Sequence, residues 1–79
     1  MKKKPVGRPK LIHTINRVKL RELRIEKGLL QREIAHAIGY SDTQVTHFES
    51  GYTRRAHIDT IKIMAALLDV DYTELLDIE

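Results

Sequence analysis

The sequence predicts an all-α fold, a compact bundle of five helices, and three observations support this prediction. Apolar residues recur every three or four positions through most of residues 17–77, a spacing that places them on one face of a helix. Residues that favour helix starts precede three of these segments, namely Asn16, Ser41 and Asp71. Glycines that favour helix ends follow three of them, namely Gly28, Gly39 and Gly51.

The length and composition indicate a single small domain. A chain of 79 residues buries only ~60 to 65% of its unfolded surface, so one modest core is expected. The chain has no cysteine, which excludes disulfides. No apolar run approaches the ~20 residues of a membrane span, and no signal-like segment follows the basic start. We therefore expect a cytoplasmic protein with a flexible basic arm over residues 1–14 and a folded domain over residues 15–79.

The first helix is predicted over residues 17–27. Asn16 is its expected N-cap, Ile15 would pack against Leu20 one turn later, and Gly28 would end the helix.

Arg24 lies on the apolar side of this helix, next to Leu20 and Leu23. A lone cation there would be costly, so a buried Arg24 needs a partner. The alternative is an exposed Arg24 without one.

The second helix is predicted over residues 31–38. Leu30 precedes it, so the first backbone N–H groups lack a side-chain acceptor and depend on water or a ligand such as a phosphate oxygen. Ala35 is small enough for a close helix crossing, and Gly39 can adopt the left-handed conformation that a sharp turn requires.

The third helix is predicted to begin near Asp42, because Ser41 and Gln44 have the spacing of a capping box. Val45 and Phe48 form its inward stripe. The residues expected to point outward are Thr43, Thr46, His47 and Ser50.

The last two helices are predicted over residues 58–68 and 72–77, the second of them short. Leu75, Leu76 and Ile78 cannot all be buried in so short a helix. We therefore expect an apolar patch there that contacts a second copy of the chain.

The positive charge is concentrated at the start of the chain. The net charge is +9 over residues 1–32 and −6 over residues 33–79, which together give +3. Residues 1–10 carry five positive charges and no negative one, so residues 11–79 carry −2. Much of any attraction for phosphate must therefore come from the basic residues of the arm, Lys2, Lys3, Lys4, Arg8 and Lys10.

These features together resemble the helix-turn-helix domain of the phage repressor and Cro type. The resemblance rests on QREIAHAIGYSDTQVTHFESG, on RVKLRELRIEKGLLQ before it and on IKIMAALLDVDYTELL after it. It implies a five-helix, lambda-repressor-like fold and a sequence-specific regulator of double-stranded DNA in the cytoplasm, associated with the nucleoid. It also implies a dimeric repressor that reads a palindromic operator, with the recognition helices ~34 Å apart in the major groove.

The resemblance also assigns roles to residues. The expected base-reading residues are Asp42, Thr43, Gln44 and His47. The amide of Gln44 has two alternative uses, in the capping box or on an adenine. The expected phosphate or backbone contacts are Gln31, Thr46, Ser50, Tyr52, Thr53, Arg54 and Arg55, and the alternative for the two arginines is a solvated pair. Arg24 would pair with Glu49.

The arm resembles the core of an AT-hook at Gly7, Arg8 and Pro9, an extended segment that lies in the minor groove of A·T-rich DNA. Val6 stands where that motif usually has a second arginine. The alternatives are a solvated charge run or a localisation signal.

No enzymatic motif or cofactor site is recognised. The sequence has no Gly-rich phosphate loop and no H-E-x-x-H, and its four histidines lack metal-ligand spacing. The remaining alternative to a regulator is a protein-interaction module of the same fold with only nonspecific DNA affinity.

Overall fold

Four α-helices, two short strands and a 3₁₀ helix make up residues 11–77, the part of the chain that the computed structural model describes. The elements in chain order are β1 (Ile12–Thr14), α1 (Arg17–Glu26), α2 (Gln31–Ile38), α3 (Asp42–Ser50), β2 (Arg55–His57), α4 (Ile58–Leu68) and the 3₁₀ helix (Tyr72–Leu75). The prediction of five helices in an all-α fold is therefore wrong in two respects. The fold contains a two-stranded sheet, and the fifth element is a 3₁₀ helix and not an α-helix.

The sheet joins the start of the described chain to the segment between α3 and α4. β1 and β2 pair antiparallel, with Ile12 opposite His57 and Thr14 opposite Arg55. Residues 12–14, which the sequence assigned to the arm, thus pair with the segment that follows α3. A strand of three residues is too short to show the alternation by which strands are recognised in a sequence.

The last element is a single 3₁₀ turn. Asp71 caps it by accepting a hydrogen bond from the backbone N–H of Thr73 at 3.0 Å. The chain then extends beside the start of the fold, where the Asn16 N–H donates to the Leu75 carbonyl at 2.8 Å and Leu76 bridges to Ile15. These backbone bonds to β1 and its flank end the helical turn that the sequence predicted to continue to residue 77.

Local caps place the four α-helices close to their predicted bounds. The Lys19 N–H donates to the side chain of Asn16 at 3.2 Å, and α1 ends at Glu26, one residue before its predicted end. The bounds of α2 and α4 match the predicted ones.

The core lies where α1, α2, α3 and α4 meet. Its largest fully buried side chains are Phe48, Leu20, Ile34, Ile61, Met64, Leu68, Leu75 and Val45. The expectation that Leu75 contributes to an exposed patch for a second copy is wrong, because its exposed fraction is 0%. Leu76 is half-buried against the core, and Ile78 lies outside the described residues.

Candidate nucleic-acid interface

The turn between α2 and α3 follows from two local interactions. Gly39 ends α2 with a φ of 76°, in the left-handed region where a side chain would cost energy. The N–H of Tyr40 donates back to the carbonyl of Ala35 at 2.9 Å. The hydroxyl of Ser41 accepts from the Gln44 N–H at 3.3 Å and starts α3. Ala35 is buried, so α2 and α3 pack closely across a three-residue turn.

α3 buries one side and exposes the other. Val45, Phe48 and Glu49 are buried. The exposed residues of the helix are Asp42, Thr43, Thr46 and Ser50, with Gln44 and His47 partly exposed. All four residues predicted to read bases therefore lie on the accessible part of this helix.

Gln44 and His47 have different surroundings on that face. The Ser41 capping interaction uses only the backbone N–H of Gln44, and within residues 11–77 its side-chain amide makes no hydrogen bond. The sequence left two uses open for this amide, and the structure does not show its use in the capping box. The His47 ring packs against the Tyr52 ring, with centroids 4.6 Å apart, so the exposed tyrosine of the loop contacts one of the residues predicted to read bases.

A buried ion pair ties α1 to the end of α3. Arg24 donates from Nε to Oε2 of Glu49 at 2.5 Å and from Nη2 to Oε1 at 3.1 Å, a bidentate arrangement. A third hydrogen bond joins Arg24 Nη1 to the Leu29 carbonyl at 2.9 Å. The side chains of Arg24 and Glu49 are only 15% and 5% exposed, so the pair that the resemblance implies forms largely out of contact with solvent.

Gln31 extends this network to the surface. Its Nε2 donates to Glu49 Oε1 at 3.1 Å, and its Oε1 accepts from the Thr46 hydroxyl at 2.8 Å. Gln31 and Thr46, both predicted to contact the DNA backbone, are thus brought together, and each uses part of its hydrogen-bonding capacity on the other.

The start of α2 is capped in part. The Leu30 N–H donates to Glu33 Oε1 at 2.7 Å, an acceptor that the sequence analysis did not foresee. The N–H groups of Gln31 and Arg32 have no acceptor within residues 11–77. They therefore remain available to an anion at this helix start.

The loop after α3 is shaped by backbone bonds. Gly51 has a φ of 89° and ends α3. The Thr53 N–H donates to the His47 carbonyl at 3.1 Å, and the Ser50 hydroxyl donates to the same carbonyl at 3.2 Å. The Ser50 hydroxyl therefore already donates its hydrogen within the chain. Tyr52, by contrast, is 79% exposed.

Three arginines lie around this loop. Arg54 and Arg55 are exposed. Arg17, which the sequence analysis did not select, packs across Gly51, so that a Cβ added to Gly51 would lie 2.9 Å from Arg17 Cδ. Arg17 and Arg54 line one cleft together with Ser50. Arg17 was missed because only the packing of α1 against α3 brings it to this loop.

Other kinds of site find little support in the described part of the chain. Within residues 11–77, no group of three or more His, Cys, Asp or Glu side chains is arranged to hold a metal ion. No helix among these residues has the length and apolar character to cross a membrane. The arm residues Lys2, Lys3, Lys4, Arg8 and Lys10 lie outside the described residues.

Comparison with models of protein families gives a match over most of the chain. A family model described as helix-turn-helix matches residues 20–75, from within α1 to the end of the 3₁₀ helix. Neither the comparison with curated proteins nor that with solved structures finds a significant match.

Proposed function

The chain belongs to the helix-turn-helix family, of the phage repressor and Cro type, and on that premise we propose that it is a dimeric repressor that reads a palindromic operator. In this proposal α3 lies in the major groove of double-stranded DNA. The protein acts in the cytoplasm, associated with the nucleoid.

The observation that carries this proposal is the composition of the exposed side of α3. Thr43, Gln44 and His47 offer uncharged or weakly basic hydrogen-bonding groups and a methyl group. These are the groups that distinguish base edges, whereas a surface that only attracts phosphate would carry lysine and arginine. Asp42 fits the same role, since its carboxylate can accept a hydrogen bond from a cytosine amino group.

Phosphate contacts would flank this helix on both sides. Gln31 lies at the start of α2, and the exposed Tyr52, Arg54 and Arg55 follow α3. Arg17 is a further candidate, because it reaches the end of α3. The basic arm, whose five lysines and arginines all lie within residues 1–10, would add the largest block of charge, and contacts to phosphate would hold the helix in register.

The proposed dimer rests on the resemblance to the repressor type and not on a surface that residues 11–77 present. Leu75 is buried, so a second copy would contact residues other than this one. Analytical ultracentrifugation at tens of micromolar, with and without operator DNA, tests the dimer directly. A monomer in both conditions would contradict it.

One observation favours a second candidate function, a protein-interaction module with only nonspecific DNA affinity. Residues 11–79 carry a net charge of −2, which favours a protein partner over DNA. In that case the arm alone would supply attraction to DNA.

Selection from random-sequence duplexes by the full-length protein, at ~0.15 M salt, separates the two functions. The proposal expects an enriched palindrome. Thr43→Ala and His47→Ala should each weaken binding to that site by roughly tenfold while leaving nonspecific binding unchanged, as expected for base contacts. His36→Ala, at an exposed position of α2, is the matched control. No enrichment, or enrichment of A·T-rich sequence alone, would favour the interaction module.

A further inference from the structure

We propose that Glu49 and Thr46 act as positioning residues, which hold the side-chain amide of Gln31 in one orientation as a preformed donor to a DNA phosphate. This inference rests on the proposed function, since it concerns how the same surface holds DNA. It assigns to Thr46 the role of orienting Gln31, in place of the direct backbone contact predicted from the sequence.

The orientation of the amide follows from the chemistry of Glu49. The carboxylate is paired with Arg24 in a bidentate arrangement, and an ionised carboxylate only accepts hydrogen bonds. The atom of Gln31 that faces Glu49 at 3.1 Å must therefore be the nitrogen, which places the amide oxygen on the other side.

Thr46 holds that oxygen. Its hydroxyl lies 2.8 Å from Gln31 Oε1 and 3.2 Å from the Asp42 carbonyl. The hydroxyl has one hydrogen to donate, and the shorter contact is the one to Gln31. With the nitrogen held by Glu49 and the oxygen by Thr46, rotation of the amide would break both bonds.

One donor remains on the fixed amide. The Gln31 nitrogen carries two hydrogens, and the bond to Glu49 uses one of them. Gln31 is partly exposed and is the first residue of α2. Its second N–H therefore lies at a helix start, where backbone N–H groups and the helix dipole also favour an anion.

The network thereby connects the two halves of the interface. Gln31 belongs to α2, whereas Thr46 and Glu49 belong to α3. A phosphate bound at Gln31 thus sets the position of the helix that reads the bases. Ordering this donor before DNA arrives avoids part of the entropic cost of ordering it on binding.

Two substitutions of Thr46 separate its hydroxyl from its shape. Thr46→Val keeps the branched side chain and removes the donor, whereas Thr46→Ser keeps the donor. Affinity is measured for the full-length protein on the duplex enriched by selection and on a mixed-sequence duplex of the same length. We expect Thr46→Val to weaken binding roughly tenfold on both duplexes, because a phosphate contact is independent of sequence. Thr46→Ser should bind as the wild type does.

The double variant decides between positioning and direct contact. Gln31→Ala should weaken binding about as much as Thr46→Val, and Gln31→Ala with Thr46→Val should bind no more weakly than Gln31→Ala alone. Losses that multiply in the double variant would overturn the proposal, because Thr46 would then contact DNA itself. Unchanged affinity of Thr46→Val would also overturn it.

A measurement without DNA keeps the inference separate from the proposed function. In ¹⁵N-labelled protein, the side-chain amide protons of Gln31 should exchange with water more slowly in the wild type and in Thr46→Ser than in Thr46→Val. Equal exchange in all three would overturn the fixed orientation. If the wild type bound no duplex DNA, the proposed function and the phosphate contact would fail together, whereas slow exchange would still identify the positioning residues.

Discussion

Replacement of Arg24 by alanine should cost the domain a large part of its stability. Arg24 makes both hydrogen bonds of a bidentate pair with Glu49 and a third to the Leu29 carbonyl. Arg24→Ala leaves the carboxylate of Glu49, whose side chain is 5% exposed, with the amide of Gln31 as its remaining side-chain donor within residues 11–77. A buried charge without its partner is the costly state.

The expected loss is about 3 to 5 kcal/mol, the range found when one partner of a buried ion pair is removed. A domain of this size has roughly 4 to 12 kcal/mol of stability in total. With a shift of ~4 to 8 °C per kcal/mol, a loss of 3 kcal/mol lowers the melting temperature by at least about 12 °C.

The assay is urea and thermal unfolding followed by circular dichroism. Lys19→Ala is the matched control, since Lys19 pairs with Glu74 at 3.5 Å but both side chains are 40% or more exposed. It should cost under ~1 kcal/mol. The double variant Arg24→Met with Glu49→Met should be more stable than Arg24→Ala, because no charge stays buried. A loss below ~1 kcal/mol for Arg24→Ala would refute the reasoning.

Three further predictions concern the turns and the last helix. Both Gly39 and Gly51 have positive φ, of 76° and 89°, so in thermal melts each alanine variant should lose ~1 to 2 kcal/mol. Gly51→Ala should lose more stability than Gly39→Ala, because its added Cβ meets Arg17 whereas Gly39 faces open space. Adding Arg17→Ala to Gly51→Ala should remove this difference in stability loss between the two glycine sites. Leu75→Ala should cost ~2 to 5 kcal/mol in urea unfolding, as for a core leucine, and leave the sedimentation of the folded protein unchanged. The pKa of Asp71 lies below its ordinary value because the carboxylate accepts hydrogen bonds from the backbone N–H and the hydroxyl of Thr73. An NMR titration should show this lowering. The stabilisation of the folded state that these bonds give at neutral pH should be lost as the pH falls through the lowered pKa.

The helices could be predicted because their starts and ends depend on neighbouring residues. Asn16 and Ser41 each cap a backbone N–H three residues later, so the signal and the structure lie within one turn. Gly39 acts in the same way at the end of α2. The outward face of α3 follows from helical periodicity once its start is known.

The features that could not be predicted depend on contacts between distant residues. β1 forms because β2 pairs with it, and Leu75 is buried because the chain after it bonds to the residues beside β1. Gln31 and Thr46 are 15 residues apart. Their identities suited DNA contacts individually, but only the fold brings the amide and the hydroxyl together, and it is this contact that changes the role assigned to Thr46.

In the proposed complex, the reading of sequence and the attraction to DNA reside in different parts of the chain. The exposed side of α3 has no lysine or arginine and includes Asp42, so it contributes little to electrostatic attraction. The positive charge of Arg24 is neutralised by Glu49 within the fold. The charges that remain for phosphate include those of the arm, of Arg54 and Arg55 after α3 and of Arg17. Because phosphate attraction weakens with salt far more than base contacts do, preference for one sequence over another should persist at salt concentrations that reduce the total affinity.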